Sequence, residues 1–489
     1  MIFSSWLFAS FFLVVFTVYW TLKTRRARHV LLLLASYFFY MSWNPWLVTL
    51  IIGSTVLDYL VGMSLMKTKT ARRRTGLLIL SLVGNLGILA IFKYADFFIL
   101  SMRGLLTSLG LQANMSTLSI ILPVGISFYT FQTMSYTIDI YRGKLTPTRS
   151  FLDFALFVAF FPQLVAGPIV KARDFLPQLE TLKKFSWEHL DTAVVLFMIG
   201  LTKKVLIADQ LAYLVDPVFA DPTRFVTRDL WLAMFCYGGQ IYCDFSGYTD
   251  MAIAVALMLG FTLRPNFASP YLATSLTDFW HRWHISLSTW LRDYLYKPLG
   301  GGRGGTFATY RNLFLTMVLG GIWHGAAWTF VIWGFIHGTA LAVERLVVSL
   351  RTVTAPVMAV AGFGPGTMAP AGRPREGGMM SRALGVFVTF NIVCLAWIFF
   401  RAENFETALA YLQGLTDWSG PVRFTTPFLV FMVAGSLGAH FVPGDLVTRA
   451  AKALEPVGPI GLGFLLGFGI LLIESVGPEG VAPFIYFQF

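Results

Sequence analysis

An all-α polytopic membrane protein is the fold class this sequence predicts, and three observations carry it. Hydrophobic residues make up 56% of the chain against 13% charged, with mean hydropathy +0.67, which is more apolar surface than one water-soluble core can hide. Apolar runs recur along the chain, long enough at about 1.5 Å per helical residue to cross a hydrocarbon core of ~30 Å. Residues 2–22, 46–66 and 230–259 are apolar all round, whereas barrel strands would alternate in polarity.

The elements follow in order. Residues 2–22 form a first span; no basic stretch precedes it, and Lys23, Arg25, Arg26 and Arg28 follow it, so it reads as retained rather than as a cleaved leader. Residues 30–43 run back, Asn44 and Pro45 turn the chain, and 46–66 return it to Lys67, Lys69, Arg72, Arg73 and Arg74. Both basic blocks then lie in the cytoplasm and the N-terminus in the periplasm. Further apolar segments are 77–92, 118–134, 151–170, 190–206, 230–259, 312–350, 384–400, 428–441 and 460–473. Together they predict roughly ten or more transmembrane or re-entrant helices. Pro123, Pro162, Gly167 and Pro168 break apolar sequence, either as ordinary kinks or as bent helices around an interior cavity, since irregular backbone at membrane depth needs protein or water around it.

One integral membrane domain covers 1–489, and 352–382, rich in Gly and Pro with Arg373, Arg375 and Arg382, reads as a cytoplasmic loop. The net charge of +12 sits in short blocks between apolar segments. It marks topology rather than a nucleic-acid surface, and the bilayer is the expected partner. Cys236, Cys243 and Cys394 lie in apolar runs without ligand spacing and read as small core residues; no metal is expected. The GGGRGG run at 300–305 lacks the Lys-Ser/Thr of a phosphate loop and reads as a turn.

Two stretches carry ionisable groups that lipid does not tolerate. Residues 277–294 combine two His, two Asp, two Arg and three Trp. As one helix they place Asp278, His281 and His284 on a shared face; an amphipathic interfacial helix is the alternative. In the second stretch His324 stands alone among apolar residues, between Gly320-Gly321 and Gly325, glycines that admit a close neighbour. A satisfied core histidine, a proton relay, a metal ligand and a general base are its possible roles. On a continuous helix His337 would lie about 20 Å further on and rotated away, outside the His324 site.

The run DFWHRWHISLSTWLRDYLYKPL at 278–299, then Arg311-Asn312-Leu313 and Gly320-Gly321-Ile322-Trp323-His324-Gly325-Ala326, closely resembles the membrane-bound O-acyltransferase family. Its bacterial branch acting in alginate O-acetylation is the nearest match. PVGISFYTFQ at 123–132, FPQLVAGPI at 161–169 and DFSGYTD at 244–250 agree with it. The resemblance implies a helical funnel around a trans-membrane catalytic tunnel, with His324 as the essential histidine and His284 as its companion. Trp323, Trp283, Arg292, Asp293 and Asn312, from the same motifs, are candidate substrate-binding or site-supporting residues. His281 departs from the branch's usual residue and is left out of the site.

The activity implied is O-acyl transfer from acetyl-CoA, the expected donor, with no permanently bound cofactor. The acceptor is a hydroxyl of an exported polysaccharide or of a periplasmic acetyltransferase partner, and the location is the bacterial inner membrane. D-alanyl or peptidoglycan O-acyl transfer is the nearest alternative. A transporter is a further one, although the inverted repeats expected of it are not visible; a non-enzymatic scaffold of a secretion complex is the last.

Overall fold

The computed structural model describes residues 1–112, 114–353, 378–418, 426–442 and 445–476. Among these all regular structure is helical. Four helices are long and apolar enough to cross a membrane: Pro45–Lys67, Ala71–Ser108, Trp328–Leu350 and Met379–Arg401. A fifth span arises if Pro427–Phe441 and Leu446–Val457, which meet at 90°, count as one. The expectation of ten or more spanning or re-entrant helices therefore rests on shorter or interrupted elements such as Trp6–Thr21 and Trp187–Leu201. Large apolar side chains such as Leu13, Leu60, Val83 and Phe98 stand exposed on the outer surface, as lipid contact requires.

The two basic blocks share one face of the bundle. Arg74 reaches the carbonyls of Leu65, Ile140 and Tyr141, and Arg25 and Arg28 reach those of Glu180 and Lys183. The Met1 amine meets Ser42 Oγ at the opposite ends of the first two helices. The first two helices thus run antiparallel, their far ends meeting at Met1 and Ser42.

Several segment boundaries move, each for a local reason. The 118–134 run is no single helix: Asp96 holds the amides of Leu118 and Ser119, the chain stays irregular through Val124, and Gly125 at φ 75° starts the helix Ile126–Tyr141. A Cβ at Gly125 would collide with the Leu164 carbonyl. The 151–170 segment is helical only over Phe151–Ala159 and Phe161–Leu164, and residues 165–171 are irregular yet buried. The 312–350 run is two helices, Gly305–His324 and Trp328–Val353. They pack back on one another where Gly321 faces the Phe330 carbonyl and Gly334 faces that of Met317, with no room for a side chain at either glycine. Of the 352–382 loop, its first two residues end one helix, Met379–Arg401 begins inside its far end, and 354–377 lie outside the described residues. The 300–305 run is a turn with positive φ at Gly300, Gly301 and Gly305.

Candidate active site

Chain breaks, rather than one helical face, assemble the histidines. The 277–294 stretch forms Leu276–Arg282 and Ile285–Leu291, separated by an extended Trp283 and by His284 at φ 42°, ψ 55°. The shared face expected of Asp278, His281 and His284 is therefore overturned. Asp278 pairs with Arg282 at 2.8 Å, and His281 is exposed, its Nδ1 2.7 Å from the Thr277 carbonyl. His284 alone turns inward, at 0% exposure. A left-handed backbone costs a non-glycine residue of order 1–3 kcal/mol unless its surroundings impose it. Here buried Asn266 does so: its carbonyl accepts from Ile285 N at 2.9 Å, and its side-chain oxygen from Ser286 N at 3.2 Å. Ser286 Oγ in turn accepts from Ile169 N in the irregular 165–171 segment.

His324 is the last residue of its helix, which an extended Gly325 ends. A Cβ there would meet the Phe330 ring, so the sharp return of the chain depends on glycine at 325. The two imidazole centres lie 6.4 Å apart. Trp323 packs beside both, at 5.1 Å from His324 and 6.2 Å from His284, and its own ring stacks on Phe131 at 5.2 Å. Phe245 closes on His284 at 4.7 Å, and Trp333 and Phe400 on His324 at 5.1 and 5.2 Å.

Since the helix is broken at Gly325, His337 returns toward the site instead of leaving it. Trp333 touches it at 4.8 Å while touching His324 at 5.1 Å, and Trp280 touches it at 5.1 Å. This corrects the continuous-helix expectation. An aromatic column thus connects His324 to the Leu276–Arg282 helix. A cavity of about 470 Å³ is walled by Lys93, Asp96, Ala326, Thr329, Phe330, Arg401 and others, with neither His324 nor His284 in its wall. The tunnel implied by resemblance is not traced among the described residues: rings pack around His324, and the wall of this cavity includes neither histidine.

The candidate residues divide into two groups. Trp323 and Trp283 lie with the histidines, Trp283 between Phe267 and Trp397 at 5.0 and 5.2 Å. The contacts of Arg292, Asp293 and Asn312 go elsewhere. Asp293 is gripped by Lys171 at 2.7 Å, Lys297 at 2.8 Å and Arg292 at 3.1 Å, and Arg142 caps its carbonyl on the basic face. Burial pushes its carboxyl up, but hydrogen bonds from Arg292, Lys171 and Lys297 outweigh that and hold it well below the usual carboxylate range. Asn312 lies about 18 Å along the helix from His324 and binds the Gly301 carbonyl at 3.0 Å, fixing the glycine turn. Sequence reasoning missed Asn266, a polar loop residue with no motif to mark it, and Lys93, whose charge reads as the end of an apolar run. Among the described residues no group of three or more His, Cys, Asp or Glu converges as a metal site.

A model of the MBOAT, membrane-bound O-acyltransferase family, matches residues 145–361. The chain is 45% identical over 475 residues to the probable alginate O-acetylase AlgI of Azotobacter vinelandii, covering 93% of this chain and 88% of that protein. To the peptidoglycan O-acetyltransferase of Helicobacter pylori it is 39% identical, over 80% of this chain and 74% of the other. To the teichoic acid D-alanyltransferase of Streptococcus thermophilus it is 27% identical, over 57% and 68%.

Proposed function

The chain belongs to the membrane-bound O-acyltransferase family and is an O-acyltransferase, and from that premise we propose that it carries acetyl groups outward across the bacterial inner membrane. The donor is cytoplasmic acetyl-CoA. The acceptor is a hydroxyl on an exported, alginate-like polysaccharide, or on a periplasmic partner acetyltransferase that passes the group on. The observation that carries this reading is the pairing of two buried imidazoles, 6.4 Å apart, with Trp323 packed beside both.

A hydroxyl is a weak nucleophile until its proton is removed, and imidazole is the side chain suited to that near neutral pH. His324 accepts the acceptor's proton as the hydroxyl oxygen bonds to the thioester carbonyl carbon. The carbon–sulfur bond then breaks, and the proton held by His324 passes to the departing thiolate. His284 orients the thioester or polarises its carbonyl. Trp323, packed beside both rings, keeps them at their separation.

Sidedness follows from charge and geometry. The basic face is the cytoplasmic one by the positive-inside rule and favours the anionic nucleotide of CoA. Driving that head group through hydrocarbon would be far costlier than presenting the acyl end alone. The pantetheine arm reaches His324 along the Trp280, His337 and Trp333 column, which must part to admit it. The acceptor approaches through the cavity beside Thr329 and Phe330, and the N-terminus is periplasmic. Similarity to the alginate O-acetylase exceeds that to the peptidoglycan enzyme, which favours an alginate-type acceptor.

The test is transfer from radiolabelled acetyl-CoA by protein in sealed vesicles of known orientation, with oligomeric alginate or peptidoglycan fragments outside. Label on the alginate fragment, dependent on CoA supplied at the basic face, is expected. Label retained on CoA in the presence of both acceptors and of co-purified partner proteins would overturn the reading.

A further inference from the structure

We propose that Lys93 is a positioning residue for the transfer reaction, holding the backbone of His324 so that its imidazole keeps its place beside Trp323 and opposite His284. The inference rests on the reading of His324 as the base and goes beyond it.

A helix leaves its last carbonyls without intrahelical donors. At the end of Gly305–His324 three consecutive carbonyls are met by two consecutive side chains from another helix. Tyr94 Oη donates to the Ile322 carbonyl at 2.8 Å, and Lys93 Nζ donates to those of Trp323 at 2.8 Å and His324 at 2.9 Å. Adjacent side chains on an α-helix diverge by about 100°. Here both lie on the π turn Ala90–Tyr94, whose wider winding brings neighbours closer in direction; such turns recur at functional sites.

An ammonium is an expensive way to cap a helix inside an apolar segment. A hydroxyl would satisfy the carbonyls with less desolvation, so capping alone does not account for a lysine. Three features together do. The charge meets the negative end of the helix dipole. Among the described residues it makes no ion pair with a carboxylate; its other contacts are Ser127 Oγ at 3.5 Å and the Trp323 ring, 6.0 Å to the centroid. Lys93 also forms part of the wall of the cavity beside Ala326 and Thr329. His324 is thereby fixed at its nitrogen by the helix and at its carbonyl by Lys93, and the side chain between has few remaining freedoms. Small misplacements of a reacting group cost orders of magnitude in rate.

The experiment compares Lys93→Met, Lys93→Arg, Tyr94→Phe and His324→Ala in detergent or vesicles, measuring kcat, both KM values and melting temperature. Lys93→Met is expected to lower kcat about 10- to 100-fold with both KM values held within about twofold and no loss of melting temperature. Lys93→Arg recovers a third or more of kcat, because a guanidinium still donates to two carbonyls. Tyr94→Phe, one carbonyl further back, costs less than Lys93→Met. The proposal is overturned by a Lys93→Met enzyme retaining half its kcat. It is equally overturned by a KM rise without a kcat change, which would make Lys93 an acceptor-binding group. A kcat loss that follows a fallen melting temperature and is not restored by arginine would make it a purely structural one. If His324→Ala is inactive while Lys93→Met is active, only the Lys93 proposal fails. An active His324→Ala removes the base reading itself and this inference with it.

Discussion

Asp58 and His324 are both polar side chains enclosed by helices, at 0% and 4% exposure, yet their surroundings differ in kind. Asp58, on Val48–Lys67, is met by Ser81 Oγ at 2.5 Å and Asn85 Nδ2 at 2.7 Å from Ala71–Leu89, and by Thr137 Oγ1 at 3.0 Å from Ile126–Tyr141. Ser54 and Thr133 complete the network through the Asn85 oxygen. One carboxylate thus ties three helices, and its donors lie so close that nothing else fits. His324 is walled instead by the rings of Trp323, Trp333 and Phe400. The contrast separates two settings for a polar group within a membrane bundle: a closed set of matched partners holds structure, while an imidazole set among rings is the one proposed to meet a substrate.

Mutations can break that contrast. The largest expected effect is from His324→Ala, a fall in acetyl transfer of about 10²- to 10⁴-fold with melting temperature in detergent preserved; full turnover would erase the distinction. His284→Ala should cost transfer about 10- to 100-fold, whereas His281→Ala, at an exposed position, should change it less than about twofold. A reversed order between those two would put the site on the wrong side of the chain break. Asp58→Ala should do the opposite of His324→Ala. It strands buried donors at about 1–3 kcal/mol each, so melting temperature and yield fall while each folded molecule keeps its turnover.

The smallest effect is predicted at Asp293. A carboxyl held below its ordinary range contributes stability that is complete above that range and is lost as pH falls through it toward the folded value. Melting temperature should therefore decline on acidification from about pH 4, and Asp293→Asn should flatten that decline while leaving transfer at neutral pH nearly unchanged. A large loss of transfer at neutral pH would return Asp293 to the active site.

The length of the apolar runs made the helical membrane class legible, because helices in lipid announce themselves by composition. The limits lay where composition is silent. Residues 118–124 are as apolar as a helix and only Pro123 marked a break there, but Asp96 draws the amides of Leu118 and Ser119 into another shape, a contact 22 and 23 residues away that no local pattern encodes. No Gly or Pro marks the break at Trp283 and His284; Asn266, 18 residues upstream, imposes it. The break at Gly325 was visible as glycine, but that His337 folds back through Trp333 depends on the close crossing at Gly321 and Gly334. His324 was legible as a candidate because an imidazole in apolar sequence has few uses, and the family resemblance singled out one of them. Lys93 was not, because a lysine after an apolar run ordinarily reports where a span stops.

The bonds from Lys93 to the helix end join residues 230 and 231 positions apart. Synthesis delivers the cap long before the group it caps. The first helices can be inserted and the Asp58 network closed while the ribosome is still far from residue 324, and the nascent bundle then holds a lysine awaiting its partner. On the proposed reading, the geometry around His324 is completed only when the glycine-lined helix pair enters the bundle, and a chain halted before that point would lack it.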